Sequence, residues 1–156
     1  MNPAYQGQLD VFCAAYAVIN AMRHINATRL LTCRAILHEA LLDAARDEES
    51  FCALLDQRTD YVDWVDAMLS RLEKQGSLLT ARPFPTHFPG PSAPSPAVLW
   101  AAIADWLRRG ERNAVLLQFV RILYPTEAVI RHWTCCNDVV GDTLMLFDSS
   151  IEPGAL

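Results

Sequence analysis

Three residue types that can share one reaction stand at the two ends of this chain: Cys13 near the start, His132 and Asp148 near the finish. A thiol attacks as its thiolate, and two devices favour that form. One is the positive end of a helix; the other is a histidine that takes the proton. Cys13 opens an apolar run rich in small residues, Ala14, Ala15, Ala17 and Ala21. Asp10 can cap a helix beginning near Val11, which would put the thiol at its positive end. Just upstream, Tyr5-Gln6-Gly7-Gln8 supplies side-chain amides. One such amide, with the backbone N–H of Cys13, would hold the oxyanion formed when a thiolate attacks a carbonyl. The competing reading makes Cys13 a small buried residue among alanines, as cysteine commonly is. An apolar core, however, has no need of the Gln-Gly step that precedes it.

His132 and Asp148 supply a base and the group that orients it, provided that they meet. His132 begins one predicted strand. Asp148 follows Leu144-Met145-Leu146-Phe147 at the end of the next. Successive strand residues face opposite sides, so the pairing register decides whether the two share a face. A plain two-residue turn at Gly141-Asp142 pairs 140 with 143 and separates them. Pairing 134 with 148 makes them diagonal neighbours on one face. A shared site therefore predicts a three-residue loop or a bulge in this hairpin, between Val139 and Thr143, where Gly141 permits one. Taken singly, His132 also reads as an edge-strand residue beside Trp133, and Asp148 as part of an Asp-Ser-Ser turn.

The elements that must carry these residues follow from periodicity and punctuation. A helix is expected over Val11–His24 and a second over Thr32–Ala45, with Ile36, Leu37, Ala40, Leu41 and Ala44 on one face. Ser50 starts a short helix to Leu55. Asp60 opens another, with Val62, Val65, Leu69 and Leu72 inward and Gly76 as its stop. Six prolines between Pro83 and Pro96 rule out regular structure there. Ser95-Pro96 begins a further helix, through Trp100, Ile103 and Trp106 to Arg109, ended by Gly110. Strand signals occupy Ala114–Leu123, Ile130–Val140 and Thr143–Phe147. Helices first and antiparallel strands last make an α+β pattern, with the N-terminal helices packed on a C-terminal antiparallel sheet.

At 156 residues the chain fits one domain, residues 1–156, and a composition 52% hydrophobic and 20% charged can fill its core. The net charge of −5 and the lack of a basic cluster larger than Arg108-Arg109 with Arg112 speak against nucleic acid or an anionic membrane as partner. No apolar run is long enough to span a bilayer, and Met1-Asn2-Pro3 does not open like a signal peptide. The five cysteines, Cys13, Cys33, Cys52, Cys135 and Cys136, are odd in number and irregularly spaced. That suits a reducing compartment, the cytoplasm at synthesis, with export by a signal-less route equally compatible. No metal is expected. Cys135 and Cys136 are adjacent on a strand and point to opposite faces, and Cys33 and His38 are poorly spaced on a helix. His24 and His38 read as ordinary helix residues, and His87 as a loop residue within reach of a substrate. No cofactor is expected.

Gln6-Gly7 followed by Leu9-Asp10-Val11-Phe12-Cys13-Ala14-Ala15-Tyr16 resembles the nucleophile segment of the papain-like cysteine peptidases, where a Gln precedes the Cys at the start of a central helix. His132-Trp133 followed by Phe147-Asp148 is similar to the small bacterial branch of that superfamily, which includes the peptidases that trim double-glycine leader peptides. The resemblance covers both ends of the chain and leaves residues 30–110 without a counterpart. It implies Cys13 as nucleophile, His132 as base, Asp148 as orienting residue and Gln6 as oxyanion donor. The substrate would be a peptide or protein, cleaved at amide bonds through a thioester. The same triad also serves protein deamidases and acyltransferases, and the fold can persist as a non-catalytic binding module. Two positions depart from the family pattern. Its Gln stands six residues before the Cys, whereas Gln6 is seven before and Gln8 five. Ala14 follows the nucleophile where the small bacterial members often have Gly. Eight residues follow Asp148, so either a minimal barrel or a longer natural chain is expected.

Overall fold

The computed structural model describes residues 3–4, 11–59, 61–76, 94–121 and 130–149. Five helices precede three strands: α1 Cys13–Asn26, α2 Leu30–Ala44, α3 Glu48–Leu55, α4 Val62–Lys74, α5 Pro96–Arg108, β1 Val115–Arg121, β2 Ile130–Val140 and β3 Thr143–Leu146. The strands form one antiparallel sheet in the order β1-β2-β3. The molecule is α+β, as the sequence pattern implies. No helix of the described residues is long and apolar enough to cross a membrane.

α1 is the central element. Its alanines let neighbours approach closely, and ten of its fourteen residues, Cys13 to Ala15 and Ala17 to Arg23, are buried. It starts at Cys13 rather than Val11. The cap position is Phe12, whose side chain makes no capping hydrogen bond, and Asp10 lies outside the described residues. At the other end Ala27 turns left-handed at φ 52°. The buried guanidinium of Arg23 secures that end by donating to the Thr28 carbonyl at 3.0 Å.

Two apolar clusters sandwich the sheet. On one side Val18, Met22, Val65, Met68, Leu72 and Tyr61 join Trp133, with Leu116 packed against them. On the other side α5 places Ile103 and Leu107 on Val115 and Cys136, with Leu117, Val139 and Leu144 around them. The alternation Val115, Leu116, Leu117 between the clusters is the two-residue period of a strand with both faces covered. Burying an aliphatic side chain of this kind contributes about 1.5–3 kcal/mol. The N-terminal helices thus pack on the C-terminal sheet as expected, and α5 closes the face that they leave.

Helix boundaries follow local chemistry. Ser95 caps α5, accepting from the Val98 N–H, with Pro96 in the first turn. Gly76, at φ 72°, follows α4 in the conformation that only glycine adopts without cost. Asp47, not Ser50, holds the cap position of α3; Ser50 lies inside the first turn and donates its hydroxyl to the Asp47 carboxylate. α4 begins after Tyr61, and Asp60 falls outside the described residues. So do Pro83–Pro91 of the proline segment and Ile122–Leu123 at the expected end of β1.

Candidate active site

Each of the three chemical residues is placed by a different element. Cys13 is the first residue of α1, where unpaired backbone N–H groups and the helix dipole favour negative charge. His132 is near the start of β2, opposite Phe119 of β1. Asp148 follows β3 by two residues. All three are buried, at 7%, 7% and 4% exposure.

The hairpin solves the register problem away from its turn. Val140 pairs with Thr143, so the turn at Gly141-Asp142 has two residues and is plain. The expected loop or bulge between Val139 and Thr143 is not there. Asn137 bulges out instead: Asp138 pairs with Met145, whereas Cys136 pairs with Leu146. The bulge is stabilised locally by the Val139 N–H, which donates to Asp138 Oδ1 at 2.7 Å. Beyond it the shifted register holds, because Phe147 N–H donates to the Cys135 carbonyl at 2.7 Å. Residue 148 therefore stands across from 134, on the face that His132 shares with Thr134 and Cys136.

His132 Nε2 lies 3.2 Å from Asp148 Oδ1 and 3.1 Å from Oδ2. Both carboxylate oxygens address one ring nitrogen, Nε2. Cys13 is the second hydrogen-bond partner of the ring. Burial acts to lower the histidine pKa. It is outweighed by the hydrogen bond to Asp148, followed by the hydrogen bond to Cys13 and the negative charge of both, which together carry it up to about 9. The edge of the imidazole also meets Phe119, with centroids 5.4 Å apart and planes at 80°. The ring is thus fixed on three sides.

An aromatic group flanks Cys13. Phe12 meets Trp64 edge to face at 5.9 Å, and Trp64 tilts against Tyr61 at 6.1 Å. Tyr61 has φ 65°, unusual for a bulky residue. It is held there by burial and by its hydroxyl, which donates to the Leu54 carbonyl at 2.7 Å. Burial, then the negative charge of Cys13, pushes the Tyr61 phenol up to about 12. Nothing in the sequence pointed to these aromatics as neighbours of Cys13 apart from the adjacency of Phe12.

No family model, curated protein or solved structure matches this chain.

The remaining candidates stay apart from this site. Gln6 and Gln8 lie outside the described residues, as does His87. His38 is exposed on α2. His24, at the end of α1, packs on Phe147 at 6.3 Å between ring centroids. Cys33, Cys135 and Cys136 are buried free thiols and Cys52 is exposed. Burial raises the pKa of Cys33 and of Cys135, and that of Cys136 to about 11. Such thiols are inert at neutral pH. Among the described residues, no group of three or more His, Cys, Asp or Glu side chains could hold a metal ion. Asn20 is the residue that the sequence reading passed over. It is a fully buried amide inside α1, visible in the sequence only as a polar break in an apolar run.

Proposed function

We propose that this protein is a papain-like cysteine hydrolase acting on amide bonds of peptide or protein substrates. The observation that carries the reading is His132, buried between the Cys13 thiol and the Asp148 carboxylate. A nucleophile at a helix start, a base on a strand and an orienting carboxylate one hairpin later repeat the order of parts in that superfamily.

Chemically, the imidazole takes the thiol proton and Asp148 steadies the imidazolium. The sulfur adds to the substrate carbonyl, and the oxyanion rests on the Cys13 N–H and a glutamine amide from the segment ahead of it. His132 then returns its proton to the departing amine, and water hydrolyses the thioester. A catalytic thiol of this kind works in a reducing compartment, consistent with cytoplasmic residence at synthesis.

Iodoacetamide at pH 6 tests the nucleophile. Cys13 should alkylate much faster than the other four thiols, since only an activated thiolate competes there. Peptide-library cleavage by the wild type, beside Cys13→Ala, tests the reaction. Fast alkylation with turnover of glutamine side chains or of acyl acceptors, but no peptide cleavage, would move the reading to a deamidase or acyltransferase. Slow alkylation of Cys13 would leave a binding module.

A further inference from the structure

The fold covers only one side of α2. Ala40, with Ile36, Leu37 and Ala44, packs into the first apolar cluster. The opposite side is largely apolar as well. Leu31, Ala35, His38, Leu42 and Ala45 are all exposed, Leu31 at 80% and Leu42 at 55%. A helix that is apolar on every side is normally covered on every side. α4 shows the ordinary pattern in the same chain. Its exposed residues opposite Val65, Met68 and Leu72 include Asp63, Asp66, Ser70 and Glu73.

The outward residues of α2 recur at alternating steps of four and three, the a and d positions of a heptad repeat. A straight helix drifts from such a seam by only about 20° per heptad, so a seam this short stays on one face. Arg34 stands just before Ala35, at g, and Glu39 just after His38, at e. Two such helices laid side by side in parallel bring the g flank of each against the e flank of the other. Arg34 of each copy then meets Glu39 of the other, twice around a two-fold axis. Laid antiparallel, with Leu31 opposite Leu42, like flanks meet: Arg34 faces Arg34, and Glu39 faces Glu39. The charges therefore select the parallel orientation. Among the described residues Arg34 has no ion-pair partner, and Glu39 uses one carboxylate oxygen on Arg71 at 3.2 Å.

We propose that α2 docks on α2 of a second copy of this chain, in parallel and in register. Leu31 meets Leu31 and Leu42 meets Leu42, and the small Ala35 between them lets the helices approach. The helix is already held by its inward side, so association has no backbone to order. The seam is short, at the small end of specific interfaces, and the dimer is accordingly weak and concentration-dependent. The surface is separate from Cys13 and independent of the hydrolase reading.

Sedimentation equilibrium on the full chain, from about 1 μM to 1 mM, should show the mass rising from 17.4 kDa toward twice that value. Leu31→Glu combined with Leu42→Glu should remain monomeric throughout. Arg34→Glu alone and Glu39→Lys alone should each weaken the dimer at least about tenfold, because two attractions become two repulsions. The two combined should restore it to within about threefold of wild type. Ala35→Cys, in a Cys52→Ser background, should give a disulfide-linked dimer on mild oxidation, since the parallel seam sets residue 35 against its own copy. All these positions are exposed in the single chain, so the substitutions leave the core alone. Glu39→Lys gives up the Arg71 contact, and Arg71 keeps its pair with Asp43. The charge variants keep the test open should the leucine variant not fold. A chain that stays monomeric at every concentration, a dimer indifferent to the leucine substitutions, or a charge swap that restores nothing would overturn the proposal.

Discussion

At the scale of single residues, the His132 pair makes the sharpest demands. A histidine raised from an ordinary value near 6.5 to about 9 keeps its proton longer in the folded chain than in the unfolded one. Its contribution to stability is therefore complete below pH 6.5 and is lost as the pH rises through 9. The linked free energy is on the order of 3 kcal/mol. Denaturant unfolding between pH 6 and 10 should show this decline. Asp148→Asn removes the leading cause of the upward shift, so the decline should flatten while the fold persists. NMR titration of His132 should show its apparent pKa falling in Asp148→Asn and also in Cys13→Ala. An unchanged midpoint in both would mean that the ring does not sense its two neighbours. Turnover should be abolished in Cys13→Ala and reduced by at least about tenfold in Asp148→Asn, whose amide cannot stabilise the imidazolium as a carboxylate does.

At the scale of elements, the Asn137 bulge reconciles two requirements. Val139 and Leu144 must face α5 with Cys136, yet residues 136 and 139 have opposite parity. The extra residue brings them to one side while setting Asp148 across from 134. Deleting Asn137 leaves the pairs from Cys136↔Leu146 onward as they are and makes the ladder regular. Residues 136 and 139 then stand two apart, so Val139 and Leu144 keep their place on α5 and Asp148 stays across from 134. The variant should therefore fold and keep its His132 titration. One glycine inserted between Phe147 and Asp148 should not leave the titration intact. The tip stays in place, the carboxylate changes face, and the His132 midpoint drops. Identical behaviour of the two variants would refute the register argument. At α5, Ser95→Ala should cost about 0.5–1 kcal/mol in thermal or denaturant unfolding by removing the cap.

At the scale of the whole molecule, burial sorts the five thiols. Cys33 is buried beside Arg23, and Cys135 and Cys136 lie with no exposed surface in the strand between the two clusters. Native-state alkylation followed by mass spectrometry at pH 7.5 should label exposed Cys52 readily, and buried Cys13 faster still through the activation by His132 proposed above. The other three should label only at the rate of global or subglobal opening. Early labelling of Cys135 or Cys136 would mean that the sheet opens far more readily than its two covered faces allow. The Phe12, Trp64 and Tyr61 group ties the same architecture to the site. It couples α4 to the first turn of α1, so changes in α4 should be felt at Cys13.

The sequence alone determined the order of elements, the α+β class and the three residues worth joining. Those depend on local signals: small apolar residues after Cys13, Ser95-Pro96 at a helix start, and β-branched and apolar runs at the end of the chain. It even determined that the hairpin must gain or lose one residue for His132 and Asp148 to meet. Where that residue goes was a tertiary decision. A two-residue turn fits Gly141-Asp142 locally, while the α5 cluster on one side and α1 on the other fix which side chains of β2 must be buried. The bulge falls where those demands conflict. The start of α1 was settled in the same way. Phe12 occupies the cap position without a capping bond and packs on Trp64, so packing rather than a capping side chain places Cys13. The pairing of Asn20 with Ala4 was likewise beyond a linear reading, since the two are sixteen residues apart and only the folded chain brings them together.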